Sequence, residues 1–297
     1  MTITPRVNTY ALDRPLAVRL KHVTGRIRVT TSPTAECKVT MSGETKEAQA
    51  LVDDARIAFN NAGPIGELDI KVGRRNQESD ININVVTFLW AFKVGAARSK
   101  DKVDVHLEVP AGTTLDLSTV SGEIDCTSAE PGRLEVASVS GHVHCGKVSG
   151  PVLIKATSGT TEIGEVHGSV DAKSVSGSLR TGVVHGSIDV KSVSGSVKTC
   201  IGAPGRVQAK TVSGDITINV VPGMAVSVDA KSISGALRST IPLEVEEPNV
   251  RSYLGGAVVI GDDPKPQQTP AGARDALVEI AAQSVSGDVL IGSLTNA

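Results

Sequence analysis

The side chains able to do chemistry recur at fixed intervals along the 297 residues. His167 and His185 each sit in a Val-His-Gly-Ser phrase, eighteen positions apart. Two imidazoles from stacked repeats offer half of a zinc site, which takes at least three protein ligands. The equivalent residues of the flanking repeats are Ser149 and Pro204, so the spacing predicts a surface pair and no metal site. Asp171, Asp189 and Asp229 hold equivalent positions, with Gln208 in the same series, and Lys155, Lys173, Lys191, Lys210 and Lys231 form a parallel series two residues later. Cleaving a polysaccharide needs a carboxylate pair at one unique place, with walls for the sugar. Charges that return once per repeat solvate a face instead, and the aspartates partly cancel the lysines as a track for an anionic polymer.

The four cysteines, Cys37, Cys126, Cys145 and Cys200, lack metal spacing. Cys126 and Cys145 each follow a repeat glycine by four residues, which predicts stacked neighbours in one interior column, as buried thiols. Phosphate loops, Gly-x-Ser-x-Gly elbows and Gly-Gly-x-Gly-x-Asp calcium turns are absent from the sequence. The residues predict no catalytic group, no cofactor and no small-molecule substrate: not an enzyme.

A repeat must position these columns. Lys173-Ser-Val-Ser-Gly177 returns as Lys191-Ser-Val-Ser-Gly195, Lys210-Thr-Val-Ser-Gly214 and Lys231-Ser-Ile-Ser-Gly235, with looser copies ending at Gly122, Gly141, Gly159 and Gly287. A second glycine series, Gly132, Gly150, Gly168, Gly186, Gly205 and Gly223, falls near each midpoint. Turn residues twice in a period of about 18 residues predict stacked coils, each with two strands and two corners. Gly141, Gly159, Gly177, Gly195, Gly214 and Gly235 are the expected structural corners. The expected inward set is Val170, Ala172, Val175 and Leu179, then Ile188, Val190, Val193 and Val197, then Val207, Ala209, Val212, Ile216 and Ile218.

Upstream, Leu16 to Met41 alternates with period two, as half-buried strands do. Ala48, Leu51, Val52 and Ala55 have helical spacing, and Arg56–Asn60 with 68–72 reads as a hairpin. Phe88, Trp90 and Phe92 are three of only six aromatic residues (three Phe, two Tyr, one Trp). On a strand they share one face. They are expected to be either a lid on the first coil or an apolar contact for a protein partner, a second copy or a membrane surface. Downstream, five prolines between Ile241 and Gly272 mark an interruption, and Ser284-Val-Ser-Gly287 supplies one more coil after it.

The expected fold is all-β: a parallel β-helix-like solenoid with about 18 residues and two strands per coil, preceded by a β-rich region with one short helix. The expected parts are 1–111 for that region, 112–240 for the regular coils, and 241–297 for an interrupting loop and a final coil or cap. With 30 basic and 32 acidic residues no field favours nucleic acid. The first residues lack a basic stretch followed by an apolar one, an observation that points to the cytoplasm, with peripheral membrane association as the alternative.

The Leu107-Glu-Val-Pro-Ala-Gly112 entry, the Ser-Gly-x-Ile/Val/Leu repeats, the leading helix-and-hairpin unit and the late interruption together resemble a large bacterial family. That is the putative-adhesin family with a β-strand repeat of unknown function. The resemblance implies a β-solenoid and assigns no reaction. The leading expectation is a non-enzymatic, self-associating scaffold or interaction protein; the alternative is a membrane- or envelope-docking protein using Phe88, Trp90 and Phe92, and a polysaccharide-active enzyme comes third.

Overall fold

Val170, Ala172, Ile188, Val190, Val207 and Ala209 are buried, and each is flanked by residues open to solvent. This is the alternation that a pleated strand imposes. The computed structural model describes residues 4–73, 101–241, 258–260 and 277–294. Apart from one helix they are all-β, in two compact units, Met1–Gly146 and Lys147–Ala297.

The first unit contains β1 (Arg6–Ala11), β2 (Leu16–Ser32), β3 (Glu36–Gly43), α1 (Lys46–Asp54), β4 (Arg56–Asn60), β5 (Gly66–Lys71), β6 (Val103–Pro110), β7 (Thr114–Ser128), β8 (Arg133–Ser140) and β9 (Val143–Cys145). β2 and β7 are long because each runs through a corner, at Gly25 and Gly122, and contributes to two ladders. In one ladder the order is β4, β5, β2, β7, β8; in the other it is β1, β3, β6, β2, β7, β9. The pairs β1–β3, β3–β6 and β4–β5 are antiparallel and the remainder parallel. Helix α1 starts where the Thr45 hydroxyl accepts a bond from the Ala48 amide, a standard N-cap. It buries Ala48 and Val52, and the Arg6 guanidinium donates to the Val52 and Ala55 carbonyls at its far end, 3.1 and 2.9 Å.

The second unit contains β10 (Val152–Ile163), β11 (Val170–Val184), β12 (Ile188–Ser194), β13 (Val197–Ile201), β14 (Gly205–Ser213), β15 (Ile216–Val220), β16 (Ala225–Ser232), β17 (Leu237–Ser239), β18 (Val258–Ile260), β19 (Leu277–Ser286) and β20 (Val289–Ser293). All its pairings are parallel: Val152 lies beside Val170, Val170 beside Ile188, and Ile188 beside Val207. The arrangement is solenoid-like. At each corner the chains approach closely. A Cβ on Gly195 would collide with the Gly177 carbonyl, and one on Gly214 with the Gly195 carbonyl. Both residues also have positive φ, 147° and 155°, where side chains are strained.

Two expectations are corrected. First, Val175, Val193 and Val212 point outward. Strict alternation from Val170 and Ala172 turns Ser174 inward, and in the next two coils Ser192 and Thr211 are buried while Val193 and Val212 are 49% and 50% exposed. Small inward residues are required there because the walls converge on the corner: the Ser138 hydroxyl lies only 3.2 Å from where a Cβ on Gly141 would stand.

Second, the final repeat is not at the end of the stack. β19 pairs with β14 on one side and β16 on the other, and β20 likewise lies between β15 and β17. The last segment is therefore inserted between two earlier coils. Val278, Ile280, Ala282, Val289 and Ile291 are buried in it, whereas no residue of the displaced β16 is. Asp215 accepts from the Asp288 amide (3.0 Å), and Asp288 accepts from the Ala236 amide (2.8 Å), which locks that order. The first unit repeats the device: β2 lies between β5/β6 and β7, and Asp104 accepts from the Arg26 amide (2.9 Å).

His22 is the one buried imidazole among the described residues. Its Nε2 donates to the Val103 carbonyl (2.8 Å) and its Nδ1 has no partner among the described residues. Burial holds its pKa down to about 4. The unfolded chain, with an ordinary histidine near 6.5, binds the extra proton first. Stability from this group is therefore complete above pH 6.5 and is lost as pH falls toward 4, by about 3 kcal/mol at most. Urea midpoints should decline through that window in wild type and stay flatter in His22→Thr, which carries the residue type found in register at Thr119. For the inserted segment, Asp288→Ala leaves the Ala236 amide unpaired and should cost about 1–2 kcal/mol in urea unfolding, against less than about 0.5 for the exposed Asp229→Ala.

Candidate functional site

Parity makes the outer surface of the second unit a set of straight columns. Ser174, Ser192, Thr211 and Ser284 are in register, as are Ser176, Ser194, Ser213 and Ser286. The residues between them, Val175, Val193, Val212 and Val285, therefore line up on the outside. Ile233 completes the column beside Val285, since the Ser234 amide donates to the Val285 carbonyl. All five are exposed, Ile233 most at 57%. Adjacent parallel strands are about 4.8 Å apart, so five rungs make an aliphatic strip about 19 Å long. Two residues back along each strand stand Lys173, Lys191, Lys210, Gln283 and Lys231, and two further back Asp171, Asp189, Gln208, Ala281 and Asp229. Lys191 and Lys231 reach the aspartates of their own strands at 3.1 and 3.2 Å. These exposed pairs contribute little to stability and are free to exchange partners.

The interior thiols are stacked as their spacing predicts. Cys126 and Cys145 are register partners on β7 and β9, and all four cysteines are buried and free. The bond shared with Cys145, with burial behind it, raises the Cys126 thiol well above its ordinary value, and burial pushes Cys37 up to about 12. Neither is a nucleophile at neutral pH.

The expected contact residues Phe88, Trp90 and Phe92 lie outside the described residues. Most of the proline-marked interruption does too. His167 and His185 do stack, with ring centroids 5.0 Å apart and planes 16° apart, and Glu165 reaches both. The register corrects one expectation here: Gly202, not Pro204, stands beside His185 on the next coil, while the third potential ligand, Glu165, comes from two residues before His167 on the same outward face. The outward valines follow from strand parity, which overrides their hydrophobicity.

The family model described as Toastrack DUF4097 matches residues 17–255. The chain belongs to the Toastrack DUF4097 family. No curated protein matches it. Among solved structures, it is similar to a putative adhesin from Bacteroides fragilis NCTC 9343, at 12% identity over 98% of this chain and 97% of that one, with a TM-score of 0.44. It is also similar to a putative cell adhesion protein from Clostridium sporogenes ATCC 15579, at 12% identity over 98% and 100%, with a TM-score of 0.28. No helix among the described residues of this Toastrack chain is long and apolar enough to cross a membrane.

Parity has a direct test in this Toastrack chain. Val190→Ser places a hydroxyl in a packed interior and should cost about 2–3 kcal/mol. Val193→Ser, three residues on, should shift stability by less than about 0.5 kcal/mol. Equal losses in urea titrations would return Val193 to the core.

Proposed function

We propose that the chain is a non-enzymatic interaction module that associates with a second copy of itself through the aliphatic column Val175, Val193, Val212, Val285 and Ile233. The observation that carries this reading is the column itself. Five exposed branched side chains stand in register on a hydrogen-bonded frame, and contiguous exposed apolar surface of this kind marks contact sites. The charges beside it admit a second copy as the occupant. Lys173, Lys191, Lys210 and Lys231 flank the strip, with Asp171, Asp189 and Asp229 beyond them, so the charges beside it are mixed in sign and carry no net repulsion against a second copy of the same face. The glycine corners Gly141, Gly159, Gly177, Gly195, Gly214 and Gly235 have a structural role on this reading, since they hold the rungs close enough for the columns to stay straight.

A non-enzymatic role is supported by the way the outward acidic and basic groups of the second unit recur coil after coil, which is the distribution of a solvated or mating face and not of one reactive point. Light scattering during size exclusion tests the association. Wild type should exceed the 30.6 kDa of one chain, and Val193→Glu/Val212→Glu should elute as a folded monomer. A wild type that stays monomeric up to high concentration overturns self-association. Dissociation by Trp90→Asp, with the double variant still associated, overturns the assignment to the valine column and moves the contact to the aromatic segment.

A further inference from the structure

We infer that Glu165, His167 and His185 form a binding site for one divalent transition-metal ion of the zinc type, on the outside of the second unit. The inference is independent of the association proposed above. Glu165 and His167 are alternate residues, so they project from the same face, with Val166 buried between them. His185 stands one coil on. The backbone that carries the three is fixed by the parallel ladder: Val166 bridges both Val148 and Val184, the His167 amide donates to the Val148 carbonyl (2.9 Å), and the His185 amide donates to the Val166 carbonyl (2.8 Å). The register partner of Val184 on the following coil is Ile201, which places Gly202 beside His185. That next position carries no side chain, so the cluster ends there instead of repeating.

The geometry is that of ligands around an ion. Glu165 Oε1 lies 3.3 Å from His167 Nε2 and 3.2 Å from His185 Nε2, and one donor atom from each of the three residues lies within 4.8 Å of the others. Charge-assisted N–H···O bonds close to about 2.7–2.9 Å. With metal–ligand bonds of about 2.0–2.2 Å, the edge of a tetrahedron is about 3.3–3.5 Å. The 3.3 Å separation lies on that edge; the 3.2 Å one, which is also within hydrogen-bond distance, lies just inside it. Two imidazole nitrogens and one carboxylate oxygen are a donor set that zinc accepts, and one that calcium and magnesium, which take oxygen ligands, do not favour. Among the described residues no other group of three His, Cys, Asp or Glu side chains has this spacing. All three side chains are partly exposed, so the remaining coordination position faces solvent and takes water or a donor atom from another molecule.

Titration calorimetry of the tag-free full chain with zinc chloride at pH 7.5 tests the inference. Wild type should bind one ion per chain at micromolar concentration. Glu165→Gln and His185→Gln should each weaken binding on the order of tenfold or more, with unchanged circular dichroism because the side chains are superficial. Replacing the other stacked imidazoles, His142→Gln/His144→Gln, should leave it unchanged. Cobalt(II) provides a second readout, since the wild type should give the intense visible bands of a tetrahedral nitrogen–oxygen site and His167→Gln should lose them. Absence of binding below millimolar zinc, or equal binding by His167→Gln/His185→Gln, overturns the site.

Discussion

The closeness of successive backbones at the corners governs everything else in this chain. A Cβ on Gly177 would collide with the Gly159 carbonyl, and the same conflict recurs from Gly177 to Gly195 to Gly214 to Gly287 to Gly235. Only a residue without a side chain permits the approach. Once corners are superposed, the strands between them must run parallel and in register, and the interior is left as a narrow slot. The slot accepts Val, Ile, Ala and Leu along the walls and hydroxyl residues near the corner. Thr181 and Thr199, buried on successive coils, satisfy each other at 2.7 Å. The same register that fills the inside orders the outside, so that any property of the repeat appears there as a column.

The order of that glycine series contains the second lesson. It passes from Gly214 to Gly287 and only then back to Gly235, because the last segment is inserted between coils made earlier in the chain. In the first unit β2 is likewise enclosed by β5/β6 and β7. Insertion gives β2 and β19 a hydrogen-bonding neighbour on both flanks, and β3 and β1 continue one of the ladders beyond β6. Arg206 and Glu279, register partners joined at 2.9 Å, add a charge pair across the seam.

Much of this was legible in the sequence because glycine spacing and period-two alternation are local signals. The two-corner repeat, the helix after Thr45, the hairpin of β4 and β5 and the stacking of Cys126 on Cys145 all follow from residues within one or two repeats of each other. Spatial order is not local, and a repeat pattern by its nature fits every slot in the stack. The signal that distinguishes the slots is small: Asp215 and Asp288 follow their corner glycines, where the neighbouring repeats have Ser178, Ser196 and Ala236. Each carboxylate accepts the amide of the next coil in space and so records which coil that is. At the candidate metal site, the sequence showed the two stacked histidines, but Glu165 became relevant only once the ladder fixed which residues share a face.

Enclosure of the last repeat has a mechanical consequence. In a stack built in chain order, tension applied at either end peels the outermost coil rung by rung, one weak bond at a time. Here β19 and β20 are held along both edges, so traction on that segment has to shear two ladders together before any length is released. Resistance to pulling is thereby concentrated in the last repeat of the second unit.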